Sequence, residues 1–382
     1  MPLKTAPRRS RFIAVVAASL AAACSPHADL DQPSQALPAP DNEVQRLGEA
    51  FIAADQADAL SVAIIEQGNV RFLNFGTISR SSAMRPDSGT VYEIGSITKV
   101  FTSLLLAQAV VEQRVDLQDD IRQYLPGDYP NLEWQGEPVR LVHLAETTSA
   151  LPDNIPDLEP FIEEGGPSRA PFLISERWSS YSNDDFLTDL RSATLIDRPG
   201  TTPRHSNVAA TLLGIILERV YNDRYETLVS RFIEQPAGMK SGSLEVRASD
   251  LATGYSGRGV AMPALDNRYI LSAGGLRYSS ADMAKFVQAQ LRADGKAIRL
   301  SQQATMKYDQ GGLGFNWRFA IPADGTHVLR ASGGTFGSSS YVEIRPERDY
   351  GIVLLANRTG AENALYLLAE KAWQVSRTRQ HI

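Results

Sequence analysis

The residues in this chain best suited to covalent chemistry are Ser96 and Lys99, within Tyr92-Glu93-Ile94-Gly95-Ser96-Ile97-Thr98-Lys99. An extended piece ending in Gly95 runs into Val100 to Leu106, which is strongly apolar and free of glycine and proline. That pattern predicts a loop feeding a buried helix, with both residues in its first turn. Side chains three apart share a helix face, so the lysine amine can approach the serine hydroxyl. Serine is a weak nucleophile until an adjacent base takes its proton. Burial penalises the charged form of lysine and lowers its pKa, which makes Lys99 a candidate base. The plain alternative is a capping serine beside a solvated lysine. It is disfavoured because the lysine stands at the mouth of an apolar run.

A second group is His205-Ser206-Asn207, delivered by the turn residues Pro199-Gly200 to the start of Val208 to Leu217, another apolar helix pattern. Ser206 or Asn207 can simply cap that helix. His205 is harder to assign to structure, because an imidazole of ordinary pKa near 6.5 suits proton transfer at neutral pH. A third group is Ala331-Ser332-Gly333-Gly334-Thr335-Phe336-Gly337. Ser332, Gly333 and Gly334 would let a substrate lie against a strand, and a backbone N–H there could bind an oxyanion. Read alone, it is an ordinary glycine-rich connection.

The elements that must hold these groups can be read from periodicity. Glu43 to Asp55 has the helical period. Ala59 to Gly76 reads as a hairpin turning at Gln67-Gly68-Asn69. Tyr341 to Arg345 and Tyr350 to Ala356 read as strands, and Glu362 to Val375 as a closing helix. Strands near both ends predict one antiparallel sheet assembled from the two ends of the chain. The expected class is therefore α/β, with an α/β part over about 43–104 and 246–382. A mostly helical insert is expected over about 105–245, and the Ser96 helix should lie between the two parts, where ligand clefts are common.

Composition narrows the partners. The 382 residues carry a net charge of −6 with the signs interspersed, which points to neither nucleic acid nor strong binding to anionic membranes. The five histidines are scattered and the one cysteine has no ligand partner nearby, so neither a metal nor another cofactor is expected. The expected partner is a small-molecule or peptide substrate, and oligomeric state stays open. Residues 1–24 have a basic head (Lys4, Arg8, Arg9, Arg11) and an apolar core from Phe12 to Ala23, too short to span a bilayer. This predicts an export signal. Cys24 follows Leu20-Ala21-Ala22-Ala23, similar to a bacterial lipoprotein signal, which would make Cys24 a lipid acceptor. Residues 25–42, rich in Pro, Ala, Asp and Ser, read as a flexible tether. The expected location is periplasmic, with the membrane reached only through that lipid.

Taken in order, Ser-x-x-Lys, then Pro-Gly-Thr with a polar triplet and Leu-Leu-Gly, then the glycine strand resemble the class C β-lactamase-like serine hydrolases. That group includes AmpC-type β-lactamases, AmpH-type penicillin-binding peptidases, D-peptidases and related esterases. Leu141-Val142-His143-Leu144-Ala145, Gln235-Pro236-Ala237-Gly238-Met239 and Gly351 to Asn357 match as well, so the resemblance covers roughly residues 43–375. It implies a β-lactamase/transpeptidase-like fold: an antiparallel sheet flanked by helices, with an inserted helical domain. It also implies Ser96 as the acylated nucleophile, Lys99 as its proton partner and Asn207 as a holder of the substrate amide. The N–H groups of Ser96 and Gly334 would form the oxyanion hole.

Two departures stand out. The family usually carries tyrosine where His205 stands, and a lysine or histidine where Ala331 stands. Tyr181-Ser182-Asn183 spells the family triplet but lacks the turn before it and the helix after it, so it reads as a decoy. The cation missing at Ala331 commonly meets a substrate carboxylate. Arg330 or His327 could replace it, although Arg330 should point to the opposite strand face. The expected activity is acyl-enzyme hydrolysis of an amide or peptide bond. Ester hydrolysis or acyl transfer, β-lactam hydrolysis, and a silent penicillin-binding or sensory role are the alternatives.

Overall fold

The computed structural model describes residues 39–240, 246, 250–322 and 324–379. The export segment 1–24, its candidate lipid acceptor Cys24 and the tether as far as residue 38 lie outside the described residues.

Strands β1 (Ala59–Glu66) and β2 (Asn69–Gly76) form the expected hairpin, and β3 (Val91–Glu93) leads into the Ser96 turn. A small ribbon, β4 (Glu133–Trp134) and β5 (Glu137–Pro138), follows, and β6 (Arg277–Ser279) pairs back with β3. Then come β7 (Met306–Tyr308), β8 (Gly311–Gly314), β9 (Trp317–Ala320), β10 (Val328–Gly334), β11 (Ser339–Arg345) and β12 (Tyr350–Ala356). Eight of these form one antiparallel sheet in the order β2-β1-β12-β11-β10-β9-β8-β7. The two ends of the chain meet where β1 pairs with β12, one strand in from the β2 edge, with Leu60 opposite Ala356.

Alternation along these strands feeds two cores. Ala59, Ala63, Ile65, Val342, Ile344, Val353 and Leu355 face one side, packed with the Thr98–Val111 and Ser280–Arg292 helices. Leu60, Val62, Ile64, Tyr341, Ile352 and Leu354 face the other, under the Ala39–Ala53 and Glu362–Arg379 helices. Because both faces are covered there, β1 and β12 read as nearly unbroken apolar runs rather than alternating ones.

The Thr98–Val111 helix is buried on nearly every side, from Thr98 through Ala107. A helix that is apolar all round belongs inside a protein, so it carries Lys99 in its first turn, and Ser96 in the 3₁₀ turn just before it, to the junction of sheet and helices. Between residues 105 and 240 the chain forms the helices Leu141–Ala145, Glu159–Ser179, Asn183–Leu190, Asn207–Tyr221, Tyr225–Val229 and Gln235–Ala237. Among the described residues of that stretch, none joins the eight-stranded sheet.

Three details differ from the sequence expectation. The first helix starts at Ala39, inside the expected tether, because Pro40 lacks only an N–H that a first turn leaves unused and Glu43 puts negative charge near the helix start. The closing helix runs on to Arg379. Strands β7 to β9 were unforeseen, since Gly311, Gly312 and Gly314 give β8 a poor intrinsic strand preference that pairing overrides.

Candidate active site

Ser96 sits in the single 3₁₀ turn Gly95–Ile97 that opens the Thr98–Val111 helix. Gly95 has φ of +51°, and a Cβ there would lie 2.7 Å from the backbone N of Gly334. A Cβ on Gly333 would lie 2.1 Å from the carbonyl oxygen of Ile94 and 2.7 Å from the N of Ser96. The nucleophile turn and β10 therefore touch backbone to backbone, which only glycines on both sides permit. Ser340 fastens the contact: its hydroxyl donates to the Ile94 carbonyl at 2.7 Å and to the Gly333 carbonyl at 3.3 Å. Gly333→Ala should consequently cost about 1–3 kcal/mol as an overpacked site and displace Ser96. Urea unfolding alongside turnover would check both effects, and an unchanged midpoint would count against this packing.

Lys99, only 4% exposed, places Nζ 2.9 Å from Ser96 Oγ, 2.8 Å from Asn207 Oδ1 and 2.8 Å from the Ala273 carbonyl oxygen. Burial pushes its pKa down to about 7, against a smaller opposing pull from the Asp153 charge. The neighbours suit the neutral amine. Two of the three can only accept, because the Asn207 amide nitrogen is spent on Asn154 Oδ1 at 2.9 Å. A neutral amine has two N–H bonds for those two acceptors and one lone pair left over, and that lone pair meets the single neighbour able to donate, the Ser96 hydroxyl.

His205 comes to the same hydroxyl from the other side, its Nε2 3.4 Å from Ser96 Oγ. Its Nδ1 lies 2.6 Å from Asp153 Oδ1. Burial works to raise the Asp153 pKa, but the bond and charge of His205, an N–H from Asn207 and the charge of Lys99 outweigh it, and the carboxyl ends below its usual range. An ionised carboxylate can only accept, so Nδ1 carries a proton and Nε2 is the atom offered to Ser96.

The helix carrying Asn207 begins here. Ser206 is its N-cap, accepting the Ala209 N–H at 3.0 Å. The capping role thus belongs to Ser206 and leaves Asn207 free to turn its side chain to Lys99. The Asp153 carbonyl accepts the backbone N–H groups of Asn207 and Val208, at 2.8 and 3.3 Å, which fastens the Asp153 loop to the same helix start. Tyr181-Ser182-Asn183 serves structure instead: the Tyr181 hydroxyl donates to Asp189 at 2.8 Å, and Ser182 caps the Asn183–Leu190 helix.

Ser96, Lys99, His205, Ser332, Gly333 and Gly334 line one cavity of about 320 Å³. Strand β9 pairs with β10 only over Val328 to Arg330. From Ala331 to Gly334 the β10 edge facing the cavity has no strand partner. Arg330 does not supply the cation missing at Ala331, since it is held by Glu343 at 2.9 Å and Glu370 at 2.6 Å. His327 is bound to Glu347 at 2.5 Å. Arg318 and Arg204 also line the cavity, and among the described residues neither has an ion pair. No group of His, Cys, Asp and Glu among the described residues could hold a metal ion.

Reasoning from sequence missed Asp153, Asn154, the Ala273 carbonyl and Ser340. An imidazole offered as a base calls for an acid to orient it, but with 44 acidic side chains in the chain nothing local singles out Asp153.

Comparison with known proteins follows the same lines. The Beta-lactamase family model matches residues 44–374. The chain is 24% identical over 338 residues to the D-alanyl-D-alanine-carboxypeptidase/endopeptidase AmpH of Escherichia coli (strain K12), with 83% of each chain covered. In fold it is similar to a β-lactamase/D-alanine carboxypeptidase from Pseudomonas syringae, with TM-score 0.74 and 21% identity over 88% of this chain and 99% of that one. It is also similar to a class C β-lactamase from Rhodobacter sphaeroides, with TM-score 0.71 and 22% identity over 86% and 99%.

Proposed function

The chain belongs to the Beta-lactamase family and is a serine hydrolase, and from that premise we propose that it works through an acyl-enzyme on an amide or peptide bond, as an AmpH-like peptidase or amidase. The observation that carries this reading is the buried Lys99 amine 2.9 Å from the Ser96 hydroxyl, beneath an unpaired strand edge. Ser96 Oγ attacks the substrate carbonyl carbon while its proton passes to Lys99 Nζ. The oxyanion that forms is held by the N–H groups of Ser96 and Gly334. The carbon–nitrogen bond then breaks, and the amine leaves with a proton. Asn207 holds Lys99 through Oδ1 and, on exchanging Asn154 for substrate, would orient the substrate amide through Nδ2. The free edge of β10 from Ala331 to Gly334 supports an extended peptide-like substrate, since such an edge offers main-chain hydrogen bonds.

The AmpH-like relation supports a substrate ending in D-Ala-D-Ala, and such a substrate brings a terminal carboxylate. With Ala331 apolar and Arg330 tied down, Arg318 is the cation placed to receive it. Arg318→Ala should raise KM for a D-Ala-D-Ala peptide about tenfold, the worth of one charge-assisted hydrogen bond, while kcat moves little. Equal KM values in the two proteins would remove Arg318 from recognition. Ester hydrolysis is the second reading, favoured by Ala331 itself, because an uncharged ester has no use for a cation at that position. From the sequence of residues 1–24 we further propose export to the periplasm, where a lipid on Cys24 would supply an anchor.

The experiment that tests the proposal is mass spectrometry of the intact protein with a D-Ala-D-Ala peptide and a p-nitrophenyl ester. An adduct of the acyl mass on Ser96 is expected from the peptide. An adduct from the ester alone would move the assignment to the second reading, and none from either would remove the acyl-enzyme.

A further inference from the structure

We propose that Asp153 is a positioning residue for His205 and that the pair serves the leaving group and the hydrolytic water, while Lys99 serves the nucleophile. The inference rests on the acyl-enzyme reading and deepens it. Two bases converge on one hydroxyl from opposite sides: Lys99 at 2.9 Å and His205 Nε2 at 3.4 Å. They differ in their surroundings. Lys99 is 4% exposed and held by Asn207 and the Ala273 carbonyl, so its free position faces Ser96 rather than the departing group or the entering water. His205 lines the cavity with its side chain 52% exposed, and Asp153 behind it is 54% exposed, so solvent and a departing group can reach the imidazole.

Asp153 accepts the Nδ1 proton at 2.6 Å in either charge state of the ring, so Nε2 is the atom that exchanges. The loop cannot drift from the imidazole, since the Asp153 carbonyl is bonded to the N–H groups of Asn207 and Val208, two and three residues after His205. The proton ledger then closes over one turnover. In acylation Ser96 gives its proton to Lys99, the C–O bond to the acyl carbon forms, and as the C–N bond breaks that proton passes from Lys99 through His205 Nε2 to the leaving amine. In hydrolysis a water attacks the acyl carbon and gives a proton to Nε2. The acyl–oxygen bond to Ser96 breaks, and Nε2 passes that proton to Oγ. Both bases end as they began.

The test uses the full chain and a p-nitrophenyl ester, whose leaving group departs as an anion and needs no proton. Acylation should then be independent of the pair and hydrolysis dependent on it. Asp153→Ala keeps the backbone carbonyl that holds the loop. It should release p-nitrophenol in a burst close to one per enzyme, then turn over about 10²-fold more slowly, the usual worth of a positioned acid or base. KM should not rise, and acylated Ser96 should accumulate in the mass spectrum. The Nδ1–H of His205, a downfield proton resonance in the wild type, should vanish in this variant. Equal loss of burst and steady rate, or a steady rate unchanged from wild type, would overturn the proposal. Turnover retained in Ser96→Ala would instead bring down the acyl-enzyme reading, and this inference with it.

Discussion

Ser96→Ala is expected to abolish the acyl adduct and to lower turnover by about 10⁴-fold or more, the scale on which loss of an activated serine is felt in other enzymes. The size follows from the arrangement around Oγ. Lys99 and His205 both end on this one atom, so its removal idles both. The backbone that binds the oxyanion would survive, because the contact of the Ser96 turn with β10 is made by Gly95, Gly333 and Ser340 rather than by the serine side chain. The variant should therefore fold, bind substrate with nearly unchanged affinity and fail only in chemistry. Binding measured by calorimetry beside single-turnover kinetics separates these effects, and a residual rate within tenfold of wild type would exclude Ser96 as the nucleophile.

Lys99→Met should cost about 10²- to 10⁴-fold in kcat, as expected for loss of a general base, and Lys99→Arg should be no better. A guanidinium stays charged throughout the working range, so charge at this position is not what is needed. The wild-type rate should instead climb with pH and level off above about 7, where burial leaves Lys99 as the free amine. Below that value each pH unit should remove most of the remaining activity. The same shift touches stability with a defined sign. Between about 7 and the ordinary lysine value of 10.5 the unfolded chain holds a proton that the folded chain has shed, so stability rises with pH across that window. A rate profile in Lys99→Met with the wild-type inflection near 7 would assign that inflection to another group.

The two halves of this site were unequally legible in the sequence. Ser96 and Lys99 share one helical turn, so their spacing alone places them side by side, and the apolar run after them announces burial. Strands β1 and β12 were legible because both their faces are buried and their residues are nearly all apolar, and β2 followed from the turn at Gln67-Gly68-Asn69. Asp153 was invisible for the opposite reason. It reaches His205 only because the Asp153 loop is tied to the start of the Asn207 helix, far along the chain, and no local pattern encodes that closure. His205 itself could be proposed from its place before a helix start, but its orienting partner belongs to tertiary structure. Strand β8 escaped notice because a glycine-rich segment becomes a strand only when a neighbour supplies the pairing, and β7 and β9 are too short to show a period.

The pairing of β1 with β12 has a consequence for how the molecule comes into being. Leu60 and Ala356 are separated by nearly the whole chain, and contacts so distant in sequence make for slow folding. A chain with one cysteine has no internal disulfide to bring those distant segments together early. The β1–β2 hairpin can join the rest of the sheet only after β12 has been made. The turn that carries Ser96 and Lys99 thus lacks the completed sheet behind it in any nascent or truncated form without β12, and the site is finished only once β12 has joined.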